Sequence, residues 1–277
     1  MSEYYNNTSP EKKDNLENKF KEFSFLIKNC KICGGKGYKF DLGKTNGLVV
    51  SNKAQQCECL LQVYKYANYK NANIPSEYYD LDFERDFVVG SNPKNEENKK
   101  YVSKITNNIK AFTEKGYGVY LYGFAGTGKS FAGIEVLKKS LDSGMTGHYE
   151  FFPLIIDALM KKGYTADPKK DYYNQIFEHR DVLVIDELGK ETQDNYNFKR
   201  EDISRILEIN ILKKRSNKTT IIVSNIGGGI DGVKEKYSPY VYSVLKQKFK
   251  PLEFDGADFR SKIHDVDVFL DSKGEKE

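Results

Sequence analysis

A glycine-rich octapeptide, Gly123-Phe124-Ala125-Gly126-Thr127-Gly128-Lys129-Ser130, has the spacing G-x-x-x-x-G-K-[S/T] of a phosphate-binding loop. Glycines let backbone N–H groups face phosphate oxygens at a helix N-terminus, where the helix dipole also favours negative charge. Lys129 can reach the β- and γ-phosphates, and the Ser130 hydroxyl is a hard oxygen ligand for Mg²⁺. All eight residues are therefore predicted to bind a nucleoside triphosphate, ATP with Mg²⁺, rather than to form a chance glycine-rich turn.

Two carboxylates and an amide follow apolar runs further along the chain. Residues 182–185 lead into Asp186 and Glu187, and residues 219–224 lead into Asn225. Ligands bind beyond the carboxyl ends of strands in parallel sheets, so Asp186 is predicted to hold Mg²⁺ through water. Glu187 is predicted to orient or deprotonate the attacking water, and Asn225 to position that water or contact the γ-phosphate. Alone, acids there suit a helix N-cap, and Asn suits a turn.

The elements that must position these residues alternate along the second half of the chain. Apolar runs predict strands at 118–122, 147–152, 182–186 and 219–224. Helical periodicity or helix-end signals predict helices at 101–115, 130–143, 153–162 and 200–214. Apolar strands without polar alternation, separated by helices, indicate a parallel sheet covered on both faces, which is an α/β fold.

All four cysteines lie in the first quarter of the chain, as Cys30-x₂-Cys33 and Cys57-x-Cys59. Four thiolates form a closed tetrahedral site that suits structural Zn²⁺, and glycines after Cys33 let N–H groups turn toward sulfur. The second pair is C-x-C rather than C-x₂-C, so the match to a generic zinc ribbon is imperfect. Unrelated thiols or a redox pair are the alternatives, but a redox pair normally opens a helix.

The length of 277 residues and the break at Pro75 favour two domains, residues 1–73 and 74–277. A helix is predicted at 60–72 and a polar loop at 91–98. The net charge of +4 permits a nucleic-acid partner without requiring one. No stretch approaches the roughly 20 apolar residues of a membrane helix, and the N-terminus has no apolar signal core. We therefore expect a cytoplasmic protein with no membrane partner.

The order of phosphate loop, Asp-Glu strand, helix and Ser-Asn strand resembles the AAA+ P-loop ATPases. Three details narrow the resemblance to the DnaC/IstB-type group, which includes bacterial and phage helicase loaders, over residues 74 to about 263. They are Ile74-Pro75, Asp186-Glu187-Leu188-Gly189 and Gly256-Ala257-Asp258-Phe259-Arg260. The resemblance implies an AAA+ fold, Asn225 as the first sensor and Arg260 as a second sensor that contacts the γ-phosphate. A surface arginine is the plainer interpretation of Arg260.

One expected feature of that family is missing. Its members carry arginines before the last strand, one of which acts on a neighbouring subunit's ATP, but Tyr240 and Val244 align with those positions. Because such an arginine can contribute several orders of magnitude in rate, we expect slow, partner-dependent ATP hydrolysis. The candidate substitutes are Arg205, Lys213, Arg215 and Lys246.

The cysteine segment also resembles an N-terminal module of helicase loaders in Gram-positive bacteria and phages, where it is linked to docking on the helicase. The resemblance implies a hexameric replicative DNA helicase and single-stranded DNA as partners, with self-association when ATP is bound. IstB-type transposition ATPases generally lack the module. An IstB-like transposition accessory ATPase, or an ATP-binding adaptor with vestigial hydrolysis, remains the alternative.

Lysines and tyrosines between positions 138 and 173 are candidates for contact with single-stranded DNA, since they offer charge and stacking surfaces. They are Lys138, Lys139, Lys161, Lys162, Lys169, Lys170, Tyr164, Tyr172 and Tyr173. The stretch 153–171 is the best single candidate, because the resemblance implies a DNA-contacting element between two core strands there. Ordinary solvated helix faces are the alternative for each residue taken singly.

Overall fold

The computed structural model describes residues 21–45, 48–90, 92–160, 168–191, 199–256 and 258. The chain divides into two compact units, Met1–Asn71 and Ala72–Glu277. The first contains a two-stranded hairpin, and the second is built around a parallel sheet. None of the helices in the described ranges is both long enough and apolar enough to cross a membrane.

The described part of the first unit consists of a short helix, a hairpin and a longer helix. In chain order these are α1 (Ser24–Lys28), β1 (Tyr38–Thr45), β2 (Leu48–Gln56) and α2 (Glu58–Asn71). The predicted helix at 60–72 is confirmed as α2. The antiparallel hairpin is not predicted, although Tyr38, Phe40 and Leu42 alternate with polar residues as a strand does.

The sheet of the second unit has five strands among the described residues. They are β3 (Gly118–Gly123), β4 (Gly147–Phe151), β5 (Val182–Leu188), β6 (Thr219–Ser224) and β7 (Phe249–Phe254). Their order is β4-β5-β6-β3-β7, and every neighbouring pair is parallel. The predicted α/β fold is therefore confirmed, and β3 and β5 flank β6 with their carboxyl ends at one edge.

Helices cover both faces of this sheet. The helices before β4 are α3 (Phe83–Asp86), α4 (Pro93–Asn107), α5 (Ile109–Glu114) and α6 (Lys129–Asp142). The later helices are α7 (Phe152–Met160), α8 (Pro168–His179), α9 (Arg200–Arg205), α10 (Gly229–Lys236) and α11 (Pro239–Lys248). The helix α6 contacts β3 to β6 on one face, and α7 to α11 form a buried apolar cluster with the other.

Two segments differ from the predictions for physical reasons. Residues 93–98 of the predicted polar loop are helical, since the Asn92 side chain caps α4 and Pro93 occupies its first turn. The predicted helix at 200–214 becomes a π-helix over Ile206–Lys213, whose wider turn buries residues five apart. Ahead of β7, the Ser238 side chain caps α11, and Pro239 occupies its first turn.

Arg215 is a buried structural residue of the sheet unit, 3% exposed. All five of its guanidinium N–H groups are used. They donate to Thr220 Oγ1 (2.9 Å), Phe177 O (3.1 Å), Arg180 O (2.9 Å), Asp181 O (3.2 Å) and Thr219 O (2.6 Å). Burial lowers the pKa of the guanidinium to about 9, so it stays charged near neutral pH. Arg215 is therefore unavailable to a neighbouring subunit, and its candidacy as the substitute arginine is wrong.

Replacing Arg215 with Met should lower the free energy of unfolding by about 3 kcal/mol or more, because several buried acceptors lose their donors. Arg205, exposed on α9, is the matched control, and R205M should change stability by less than about 0.5 kcal/mol. Urea unfolding of the two full-length variants measures both values. Equal effects would contradict the structural role of Arg215.

Candidate functional site

The predicted phosphate loop connects the carboxyl end of β3 to the first turn of α6. Gly123, Gly126 and Gly128 all have positive φ, at 131°, 75° and 90°. A Cβ at Gly128 would lie 2.5 Å from a ring carbon of Phe87, and one at Gly123 would lie 1.9 Å from the Phe254 carbonyl oxygen. Steric contacts and backbone conformation therefore both require glycine at these positions. This agrees with the predicted phosphate-binding loop.

The side chains of the loop are ordered by bonds within the loop itself. The Thr127 hydroxyl donates to the Phe124 carbonyl at 2.8 Å, and the Lys129 ammonium donates to the carbonyls of Gly123, at 3.0 Å, and Phe124. Lys129 is only 5% exposed, whereas Phe124 projects into solvent. The ammonium thus lies beside the backbone that a phosphate would contact, at the N-terminus of α6.

Asp186 and Glu187 lie in an irregularity of the sheet. Ile185 pairs with Ile222 of β6, but the next pair is Leu188 with Ser224, so β5 spans two residues where β6 spans one. Such a bulge redirects side chains and is common beside active sites. Glu187 has φ 61°, in the left-handed region that non-glycine residues rarely adopt. The two adjacent carboxylates can therefore face different directions.

The two carboxylates have different surroundings. Asp186 is buried, and it accepts hydrogen bonds from the Glu187 N–H and the Tyr149 hydroxyl, both at 2.7 Å. Glu187 is partly exposed and forms a 2.6 Å ion pair with Lys190. A buried, oriented acid beside a more accessible one suits a metal ligand and a water-orienting base.

Asn225 follows β6 directly and is exposed. Since Tyr122 of β3 pairs with Ser224, Asn225 leaves the sheet beside Gly123, where the phosphate loop begins. The Ser224 hydroxyl donates to the Leu188 carbonyl at 2.8 Å, which joins β6 to the strand that carries both acids. The sheet thus brings the loop, Asp186, Glu187 and Asn225 to one edge. Arg260 lies outside the described residues.

The donors at this edge fit Mg²⁺. The Ser130 hydroxyl, in the first turn of α6, and the Asp186 carboxylate, near the end of β5, supply hard oxygen atoms. Mg²⁺ is typically held by one or two protein oxygen ligands, phosphate oxygens and water. Ser130 and Asp186 would therefore hold it.

Tyr149 and Glu191 are residues of this edge that sequence reasoning missed. Tyr149 reads as an ordinary core residue of β4, and nothing local reveals its bond to Asp186. The buried Glu191 accepts from the Gly189 N–H at 2.9 Å and from the Tyr237 hydroxyl at 2.5 Å, so it anchors the loop after Glu187. Only the tertiary structure brings these partners together.

The surface near the expected trans arginines carries lysines next to tyrosine rings. Tyr240 is exposed, with the Lys213 ammonium 4.9 Å from its ring centroid, whereas Val244 packs against the core. The Lys246 ammonium lies 5.4 Å from the ring centroid of Tyr242. Because Arg215 is buried, Arg205, Lys213 and Lys246 remain as candidate substitutes for the missing trans arginine.

Two of the candidate DNA-contacting residues are buried, which is a correction. The Lys138 ammonium donates to the carbonyls of Tyr78, at 3.0 Å, and Leu81, and the Tyr173 hydroxyl donates to Glu150 at 3.1 Å. Lys139 and Lys170 are partly exposed, and Lys169 and Tyr172 are exposed. Lys161, Lys162 and Tyr164 lie outside the described residues.

In the first unit, the four cysteines come together. Their sulfur atoms all lie within 4.8 Å of one another, with Cys30 to Cys57 at 3.8 Å and Cys33 to Cys59 at 3.5 Å. A tetrahedral Zn²⁺ with Zn–S bonds of about 2.3 Å places its sulfurs about 3.8 Å apart. The cluster therefore fits the predicted structural zinc site.

The surroundings of Cys33 favour ionisation of its thiol. Burial raises its pKa, but hydrogen bonds from the Gly37 N–H, at 3.2 Å, and from the other thiols outweigh this and lower the pKa to about 6. Burial and the neighbouring sulfurs, Cys33 first among them, raise the pKa of Cys59 well above its ordinary value. A metal ion would supply the charge that lets all four ionise together.

Solved structures show what the sheet unit is similar to. The crystal structure of the DnaC helicase loader matches 65% of this chain and 100% of its own, with 20% identity and a TM-score of 0.50. The sheet unit has the AAA+ P-loop fold. The crystal structure of DnaI matches 66% of this chain and 93% of its own, with 19% identity and a TM-score of 0.48. Domain III of the Thermotoga maritima replication initiation protein DnaA matches 72% of this chain and 76% of its own, with 15% identity and a TM-score of 0.48.

No protein-family model matches the chain, and no curated protein matches it either. The AAA+ assignment therefore depends on similarity of three-dimensional structure rather than of sequence. It confirms the fold that the motif order implied.

Replacing Gly128 with Ala should weaken binding of a fluorescent ATP analogue by about 10-fold or more and destabilise the AAA+ unit by about 1–3 kcal/mol. The cause is a clash with Phe87 at a φ of 90°. Gly227 has open space around its Cβ direction and no positive φ, so G227A should leave both quantities close to wild type. Binding titrations and thermal unfolding compare the variants, and similar losses in both would contradict the steric argument.

Full-length protein purified after expression with zinc should contain one Zn²⁺ per chain, held by the four thiolates. C59S should lose the metal and keep nucleotide binding, whereas K129A should keep the metal and lose nucleotide binding. Elemental analysis and nucleotide titration measure the two properties. A C59S variant that retains a full equivalent of zinc would contradict the assignment.

Proposed function

We propose that this chain is an ATP-binding AAA+ helicase loader that delivers a hexameric replicative DNA helicase to single-stranded DNA during DNA replication. The observation that carries the proposal is the combination in one chain of an AAA+ phosphate-loop unit and a preceding four-thiol cluster. The transposition ATPases of the IstB type generally lack such a module. The cluster therefore favours helicase loading over transposition.

The two regions have different tasks in this proposal. Residues 1–73 form a zinc module that docks on the helicase, and residues 74–277 bind ATP. Lys129 contacts the β- and γ-phosphates, Glu187 orients the attacking water, and Asn225 and Arg260 contact or sense the γ-phosphate. When bound, Mg²⁺ neutralises charge on the phosphate oxygens. The protein acts in the cytoplasm and self-associates when ATP is bound.

ATP hydrolysis is slow and depends on partners. Tyr240 and Val244 lack the positive charge that an arginine would present to a neighbouring subunit, so charge on the transferring phosphoryl group is less well neutralised. A slow hydrolysis rate suits a switch, since the ATP-bound state must last while the helicase is placed on DNA. Lys213, whose ammonium lies 4.9 Å from the Tyr240 ring centroid, and Lys246, two residues after Val244, are exposed cations near these positions.

The test uses the full-length chain with the replicative helicase encoded in the same genome. The wild type should co-elute with the helicase and increase the amount bound to circular single-stranded DNA when ATP and Mg²⁺ are present. E187Q should still form the complex but hydrolyse ATP at least about 100-fold more slowly, because the water-orienting carboxylate is lost. Removal of the zinc site by C59S should abolish co-elution.

The matched control for E187Q is E178Q, which removes a carboxylate from a surface ion pair with Lys214 on the same unit. E178Q should behave as wild type in both assays. Equal hydrolysis by E187Q and wild type would support an adaptor with vestigial hydrolysis. Binding to duplex DNA without any helicase association would support the transposition-type alternative instead.

A further inference from the structure

Tyr149 is the buried residue that touches the proposed metal-binding acid. Its side chain is 3% exposed, and its hydroxyl donates to Asp186 Oδ2 at 2.7 Å. The other oxygen, Oδ1, accepts the Glu187 N–H at 2.7 Å. Each carboxylate oxygen therefore has one protein donor that fixes its direction and a further lone pair for another partner.

The backbone of Tyr149 is held on the outer side of the sheet. β4 is an edge strand, so this side would ordinarily lack a partner. The Tyr149 N–H donates to the Ala72 carbonyl at 2.8 Å, and the Tyr149 carbonyl accepts from the Asn73 side-chain amide at 3.0 Å. Asn73 itself has φ 59°, a conformation that asparagine tolerates better than most residues.

A second tyrosine–carboxylate pair lies on the opposite face of the same strand. Glu150 follows Tyr149, so its side chain points to the other face, where it accepts from the Tyr173 hydroxyl at 3.1 Å. Tyr173 is also buried. The two tyrosine–carboxylate pairs are alike in chemistry and burial. Only the pair of Tyr149 and Asp186 includes a residue of the β5 bulge, at the sheet edge where the phosphate loop begins.

We infer that Tyr149 is a positioning residue for the magnesium site, since its hydroxyl sets the orientation of Asp186 and Asn73 fixes the backbone that carries it. The inference rests on the proposed binding of ATP with Mg²⁺.

The physical reason is the geometry that Mg²⁺ demands. The ion requires near-octahedral coordination, so an acid that reaches it through water must present its oxygen in one direction. Outer hydrogen-bond partners of metal ligands commonly determine metal affinity for this reason. A phenol at Tyr149 orients the carboxylate without adding a charge of its own.

The test is the magnesium dependence of nucleotide binding by the full-length protein, measured with a fluorescent ATP analogue in EDTA and in a MgCl₂ titration. Y149F, which removes only the hydroxyl, should raise the Mg²⁺ concentration at half-effect about 10-fold or more while affinity in EDTA stays at the wild-type value. Y173F is the matched control and should keep the wild-type midpoint. Both variants lose one buried hydrogen bond, so their melting temperatures should fall by similar amounts.

A wild-type midpoint in Y149F, or an equal shift in Y149F and Y173F, would overturn the inference by making the bond purely structural. If Y149F does not fold, N73G replaces it, because it loosens the Tyr149 backbone without touching the ring and glycine accepts the positive φ. An unchanged midpoint in N73G then overturns the inference. Failure of the wild type to bind nucleotide at all would instead contradict the proposed function, and this inference with it.

Discussion

Helices cover both faces of the strands β3, β5 and β6, so most side chains along these strands are buried. Polar side chains are therefore accommodated chiefly at the strand ends. Val182, Leu183, Val184 and Ile185 are fully buried, and Asp186 follows at once. Because the strands are parallel, their carboxyl ends meet at one edge, and the loop, the two acids and Asn225 gather there. Helical coverage of the sheet is thus the constraint that places the candidate site residues at one edge.

Local strain at this edge is held by contacts from elsewhere in the AAA+ unit. Glu187 in the left-handed region costs of order 1–3 kcal/mol and persists only where its surroundings over-determine it. The Ile185–Ile222 pair holds β5 before it, and the Ser224 bond to Leu188 and the Glu191 bond to the Gly189 N–H hold the chain after it. In the proposed ATPase, the Glu187 carboxylate held in this way keeps its direction while nucleotides exchange.

The two units are stabilised by different means. The AAA+ unit buries an extensive apolar cluster against its sheet and uses Arg215 to satisfy backbone carbonyls. The first unit is short, and small domains bury a smaller fraction of their surface on folding than large ones. Its four converging sulfurs suit a metal staple, as in other small metal-bound folds. In the proposed helicase loader, the helicase and the nucleotide are therefore bound by separately stabilised parts.

The sequence by itself determined the features that depend on local pattern. The phosphate loop, the acids after an apolar run, the cysteine spacing and most of the helices and strands could be predicted, because spacing, periodicity and capping are properties of neighbouring residues. The tertiary structure decided which polar residues are structural. Arg215, Lys138 and Tyr173 read as surface candidates but are buried, since their partners come from distant segments. The bond from Tyr149 to Asp186 and the bulge at Glu187 likewise depend on strand register, which long-range pairing sets and local sequence does not.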